Sequence, residues 1–373
     1  MATSQPNAAR KTPIWSWALP VAACLFLAGK FSGLFPADSA LVLGVADLIL
    51  IGAVFASVHH AEVIALRVGE PFGSIVLAIS VTVIEVALIV SIMLSAKGGS
   101  DVLARDTVFA TVMLVLNAIV GLCLLLGGAR HREQIFQTDA AAAALSVLGT
   151  LSVITLVLPN YTLAKPGPVY EQSQLIFVST VSVILYGIFL FVQTVRHRHY
   201  FLNLDLNGNA ADDSENHDPV PSVAKTILSL GLLCVSLGAV VQFAKVLSPP
   251  LETAIEAARL PKTLVGVVIA AVVLLPEGTT AILAARKNRL QISLNLALGS
   301  ALATIGLTIP AVSMAALLLG QPLTLGLDPK ERTLLLVTLF ISTVTLATGR
   351  TTILQGAVHC VLAAVFIFLT AVP

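Results

Sequence analysis

The chain has 373 residues, 57% of them hydrophobic and 11% charged, with a formal net charge of +1 and a mean hydropathy of +0.95. Soluble domains carry roughly 25% charged residues, so this composition excludes a water-soluble globule and reads as an all-α polytopic membrane protein. A charge balance near zero gives no reason to expect a nucleic-acid partner. The four cysteines, Cys24, Cys123, Cys234 and Cys360, stand alone in apolar runs, which excludes a disulfide framework or a zinc site built on paired cysteines.

Taken in order, hydropathy predicts eleven membrane spans, at roughly 14–35, 39–64, 71–95, 104–127, 140–159, 174–195, 223–247, 264–285, 291–319, 332–348 and 352–372. The first lacks a small-residue cleavage site and is expected to be a retained helix, with Trp15 and Trp17 at an interface. With the N-terminus in the cytoplasm, the inside segments hold eleven Lys and Arg residues and the outside segments seven, which sets the orientation as N-in, C-out. His59, His60 and Glu62 fall at the end of the second span and read as a polar interfacial end rather than a metal site. The one long polar connection, 197–221, is acidic and reads as a solvated cytoplasmic loop or a cation sensor. It divides the chain into 1–38 (tail and first helix), a five-helix unit at 39–196, the loop, and a second five-helix unit at 222–373.

The most informative stretch is Leu264 to Ala285, LVGVVIAAVVLLPEGTTAILAA, where Glu277 sits mid-span between Pro276 and Gly278. A carboxylate at that depth costs several kcal/mol, about 2.5–3.5 on insertion scales, and marks an ion pathway. Pro276 lacks a backbone donor, so a kink or break in the helix is expected there, with Gly278 beside it. An offset of 192 residues carries Arg67 onto Arg259 and Glu85 onto Glu277. Each half therefore has an arginine, a mostly apolar helix and a buried glutamate. Because five spans is an odd number, the second unit enters the membrane in the opposite sense. Inverted repeats with a midplane ion site are a recurrent plan of secondary transporters. The span after each glutamate also carries polar groups: Asn117 in the first unit, and Asn295, Ser300 and Thr304 in the second. Gly299-Ser300-Ala301 is small enough for close helix contact.

The segments GEPFGSIVLAISVTVIEVALI, GLCLLLGG and LLPEGTTAILAARKNRLQISLNLALGSALATIGLTIP resemble the Ca2+/H+ antiporter family, in its bacterial ChaA-like branch. The resemblance runs from about Val54 to Leu369. It implies exchange of Ca2+, Na+ or K+ for protons across a bacterial inner membrane, with no cofactor beyond the transported cation. The family's repeated acidic positions fall on Glu85 and Glu277. Its polar position in the following helix falls on Asn117 and Thr304, with Ser300 in the second small-residue motif. Many members carry GNxxE where this chain has Val81-Thr82 and Val273-Leu274, so two amide oxygens are missing. Ca2+ takes six to eight oxygens. Their loss favours a site that also accepts monovalent ions, with Thr82 and carbonyls freed by Pro276 replacing part of the shell.

The mechanism expected from these residues is alternating access. Burial and mutual repulsion bring protons into competition with cations at Glu85 and Glu277. A protonated or cation-loaded site is neutral enough to change sides; the empty, charged site is not. A passive channel or uniporter is the alternative. An intramembrane enzyme would need a nucleophile–base pair or a motif such as HExxH, and none is present.

Overall fold

The computed structural model describes residues 13–35, 39–69, 72–95, 100–202 and 220–372. In a bilayer every backbone polar group must be satisfied within the protein, which leaves helices as the economical solution for spans of this composition. Among the described residues there are eleven: α1 (Ile14–Phe31), α2 (Ala40–Val68), α3 (Phe72–Ser95), α4 (Leu103–His131), α5 (Thr138–Tyr161), α6 (Gln172–Arg196), α7 (Val223–Ala257), α8 (Thr263–Arg286), α9 (Leu290–Leu319), α10 (Pro329–Leu346) and α11 (Ile353–Ala371). Ten are long and apolar enough to cross a membrane; α10 is the other, with Lys330, Glu331 and Arg332 in its first turns. Most of the predicted 197–221 loop, residues 203–219, lies outside the described residues.

The ends of the helices sort into two faces. At one, Arg67 at the end of α2 donates to the Pro221 carbonyl just before α7 (2.8 Å), and His131 and Gln134 after α4 meet the Arg286 and Ala285 carbonyls at the end of α8 (3.0 and 2.9 Å). A two-residue antiparallel ladder, Gln134–Ile135 against Arg350–Thr351, lies at the same face. At the other, Asp101 holds Thr324, and Arg105 reaches the Gly326 carbonyl. Hence α2 ends where α7 begins, and α3 and α8 run in opposite directions. That is the inverted arrangement the odd span count requires.

The interior is built around α4. Every residue from Leu103 to Met113 is buried, and α8, α9 and α11 pack against the rest of the helix. Its contact with α11 depends on glycine. A Cβ on Gly121 would stand 3.0 Å from the Cys360 nitrogen, one on Gly128 2.6 Å from the Ile353 nitrogen, and one on Gly356 would overlap the Leu125 backbone. The GLCLLLGG segment is thus a close-crossing face of the small-residue type. Phe177, Phe340 and Phe368 project outward where lipid would lie.

Inside these helices the chain departs from α-geometry at four π turns, Leu114–Ile119 in α4, Val153–Val157 in α5, Val192–Arg196 in α6 and Thr304–Thr308 in α9, and at a 3-10 turn, Leu158–Tyr161, that ends α5. The α4 and α9 turns begin 190 residues apart, close to the register of the glutamates. By contrast, α8 is one unbroken helix through Pro276 and Gly278, so the expected break is absent. Proline forfeits the hydrogen bond to the Val272 carbonyl, a loss that membrane bundles tolerate; Thr279 and Thr280 both donate to the Pro276 carbonyl (2.9 and 3.0 Å).

Gly356→Val should force α4 and α11 apart and lower the thermal midpoint of the detergent-solubilised protein by several degrees, an overpacking cost of about 1–3 kcal/mol. Gly187→Val, where a Cβ meets nothing within 4 Å, should leave the midpoint within a degree or two.

Candidate functional site

Glu85 lies in α3, 1% exposed, with its carboxylate enclosed by hydroxyls. Thr308 donates to Oε2 (2.5 Å) and Thr111 to Oε1 (3.4 Å), with the Thr304 side chain close by. Thr304 and Thr308 open and close the α9 π turn, and their spacing of four sets both toward one side of the helix. Thr111 comes from α4, where it also bonds the Thr107 carbonyl (3.0 Å). Among the described residues no Lys, Arg or amide bonds this carboxylate, so its charge is balanced by a mobile ion or a proton.

Glu277 lies in α8, within electrostatic reach of Glu85. It is half-buried at the wall of a cavity of about 280 Å3, and its Oε2 is enclosed without a hydrogen-bond partner. Glu62 and Ser300 line the same cavity, and the Ser300 hydroxyl also lacks a partner. The cavity opens among the helix ends that carry Arg67 and Arg286, the Lys/Arg-rich face. It reaches Val81 and Ala303, one turn or one residue short of Glu85 and Thr304, and stops there.

Beyond Glu85, toward the opposite face, the bundle is closed. Gly266 of α8 lies against the Asp106 backbone, so close that a Cβ there would be 2.9 Å from it. The Arg105–Asp106 ion pair (2.8 Å, both residues 5% exposed) fills the end of α4. The cavity at Glu277 thus lies toward the Arg67–Arg286 face, with the Arg105–Asp106 pair beyond Glu85 on the other.

The structure thus brings Glu85, Glu277, Thr304 and Ser300 into one region. Thr82, one turn before Glu85, is buried with an unpartnered hydroxyl. Asn117 is committed elsewhere. Its Nδ2 donates to Thr338 Oγ1 (2.9 Å) and its Oδ1 faces His359 Nδ1 (3.3 Å), while His359 Nε2 faces Thr345 Oγ1 (3.2 Å). That amide anchors the α4 π turn to α10 and α11; it does not meet either carboxylate. The turn still touches the site, because Ile119 is the neighbour a Cβ on Gly278 would meet, at 3.1 Å. Gly299, expected at a close helix contact, instead has open space around its Cβ and faces the cavity.

Three residues escaped the sequence reading. Thr308 and Thr111 look like ordinary helix hydroxyls, although the Thr304–Thr308 spacing of four is a usable signal. Glu62 was placed at the end of a span, whereas α2 continues to Val68 and leaves it more than a turn inside. The neighbouring histidines are structural: His60 is fully buried on the Ser16 carbonyl (2.8 Å), and His59 packs on Trp15. Among the described residues no group of three or more His, Cys, Asp or Glu could hold a resident metal.

Comparison with known proteins agrees with this arrangement. The sodium/calcium exchanger protein family matches residues 39–195 and again 228–372. The chain belongs to that family. It is 52% identical over 363 residues to a Sinorhizobium fredii protein whose name proposes an ionic transporter, covering 97% of both chains. It is 34% identical over 329 residues to the sodium-potassium/proton antiporter ChaA of Escherichia coli, covering 87% of this chain and 88% of that one. The fold is similar to a solved structure of the Ca2+/H+ antiporter protein YfkE, with a TM-score of 0.70 at 16% identity over 96% of this chain and 99% of the other. This family membrane protein is a secondary transporter, an exchanger rather than a channel.

Removing one hydroxyl from Glu85 tests the site directly. Thr308→Val should raise the apparent KM for the exchanged cation roughly tenfold, since a hydrogen bond to a charged group contributes about 1.5–3 kcal/mol, and Thr308→Ser should restore it. Asn117→Ala should instead lower the thermal midpoint, because it strands Thr338 and His359 in the interior.

Proposed function

We propose that this protein exchanges a cation for protons by alternating access, with Glu85 and Glu277 as the shared carriers and Thr304, Thr308, Thr111 and Ser300 completing the oxygen shell. Thr82 is a reserve ligand in this reading. The observation that carries it is the pair of carboxylates without a fixed counter-ion, one sealed by hydroxyls and the other open to a one-sided cavity. Such a site is neutral only when occupied by protons or a cation. The closed Arg105–Asp106 end and the open Glu62–Glu277 end then correspond to one of two access states.

Sodium and potassium fit the ligand set better than calcium does. The amide that resemblance assigned to the site, Asn117, is saturated by Thr338 and His359, and the positions of two further family amides are Thr82 and Leu274. What remains is two carboxylates and neutral hydroxyls, fewer strong oxygens than a stringent Ca2+ site uses. Ca2+ is accepted more weakly in this reading. The cation is cargo, and no catalytic chemistry is assigned. The two family matches support dividing the chain into 1–38, 39–196, 197–221 and 222–373, and the bacterial relatives support a multi-pass protein of the inner membrane.

Everted membrane vesicles energised to an acidic interior, with a pH-sensitive dye, test the proposal. Na+ and K+ should dissipate the gradient at lower concentration than Ca2+, and Glu277→Gln and Glu85→Gln should each reduce that exchange to background at equal protein level. Parental exchange by either variant would falsify the shared-site scheme.

A further inference from the structure

The cavity beside Glu277 is far larger than an inorganic cation requires. At about 280 Å3 it approaches the range of pockets that hold small organic molecules, roughly 300–1,000 Å3. Its wall is chemically uneven. Glu277 and Glu62 supply negative charge. Leu77 and Val81 from α3, Leu190 from α6 and Leu296 from α9 form an apolar surface beside them. A hydrated metal ion gains nothing from that surface. An ion with a hydrocarbon body gains from both parts.

We propose that this cavity binds organic ammonium ions, with the cationic nitrogen between Glu277 and Glu62 and an aliphatic body of about five to eight carbons against Leu77, Val81, Leu190 and Leu296. Two features favour a cation over a neutral apolar ligand. Oε2 of Glu277 is enclosed without a hydrogen-bond partner, and among the described residues no Lys or Arg lines the cavity to neutralise either carboxylate. Room for the body is created at Gly299, where a Cβ would meet nothing within 4 Å. The ligand occupies the approach to the carboxylates, so it excludes the exchanged cation from the Lys/Arg-rich face. That last consequence rests on the proposed function; binding itself does not.

Alkyltrimethylammonium ions from tetramethyl to octyltrimethyl are suitable probes, since a permanent charge prevents them from carrying protons. Binding to the purified full chain in nanodiscs is measured by calorimetry. Affinity should rise up to about fourfold per added methylene and level off once the cavity is filled. Gly299→Leu should weaken hexyltrimethylammonium at least tenfold and tetramethylammonium less than threefold. Ala78→Leu, which narrows the same cavity from α3, should do likewise if the first variant is poorly produced. Glu277→Gln should weaken the whole series. Affinity that climbs with chain length without levelling, equally in parent and variants, would be bilayer partitioning and would overturn the proposal, as would the absence of saturable binding. Saturable, Glu277-dependent binding that does not compete with Na+, K+ or Ca2+ would uphold the organic-cation site and overturn the reading of Glu277 as a cation carrier.

Discussion

Everything in this molecule answers to the cost of placing two carboxylates in a low-dielectric interior with no fixed counter-ion. An isolated charge there is expensive enough that the group neutralises itself by taking a proton or a cation. At Glu85 the protein lowers the cost with the Thr308 and Thr111 hydroxyls, which stabilise the anion without cancelling its charge. At Glu277 it uses exposure, letting one carboxylate face a cavity. A lysine or arginine at either place would have produced a stable, inert ion pair. The one buried pair among the described membrane helices, Arg105–Asp106, sits apart at the closed end of α4, where permanence is useful.

Thr308, the nearer of the two hydroxyls on Glu85, stands in a locally widened stretch of helix. Thr304 and Thr308 belong to the π turn of α9, and the corresponding turn of α4 carries Asn117. π turns leave backbone groups less well paired than an α-helix does and occur often at functional sites. Here the α4 turn is braced by Thr338 and His359, and it packs on Gly278 beside Glu277. The two halves thus use the same local distortion for different ends: one supplies ligands to a carboxylate, and the other holds the helix next to the second carboxylate. An exact duplication would have put an amide at both. The asymmetry is a physical reason for a site with fewer strong oxygens than a dedicated calcium site.

Access follows from the same packing. Glycines at 121, 128 and 356 let α4 approach α11 closely along the half nearer the Arg67–Arg286 face, and Gly266 lets α8 approach the Asp106 backbone at the Arg105–Asp106 end. Gly299, where a Cβ would meet nothing within 4 Å, and Ala78 line the cavity and leave it open. Small residues therefore serve two purposes, close helix contact at Gly121, Gly128, Gly266 and Gly356 and open space at Gly299.

By itself the sequence determined the class and the plan. Apolar runs of spanning length, an odd number of spans per unit and the shared register of Arg67–Glu85 and Arg259–Glu277 were sufficient for an inverted-repeat membrane protein with two acidic sites, because hydropathy and parity are properties of the chain read one residue at a time. The break expected at Pro276 did not occur, and the distortions that matter, in α4 and α9, have no proline to announce them; neighbouring helices decide where a hydrogen-bond ladder can widen. Asn117 and Thr308 look interchangeable in the sequence, each a polar residue one helix after a glutamate. Only tertiary packing sends Thr308 to Glu85 and Asn117 to His359. Glu62 moved from a span end into the cavity because the true length of α2 is set by its contacts with α7 and α3. Which polar side chains meet across the bundle is a property of helix crossings, and a one-dimensional pattern does not contain those.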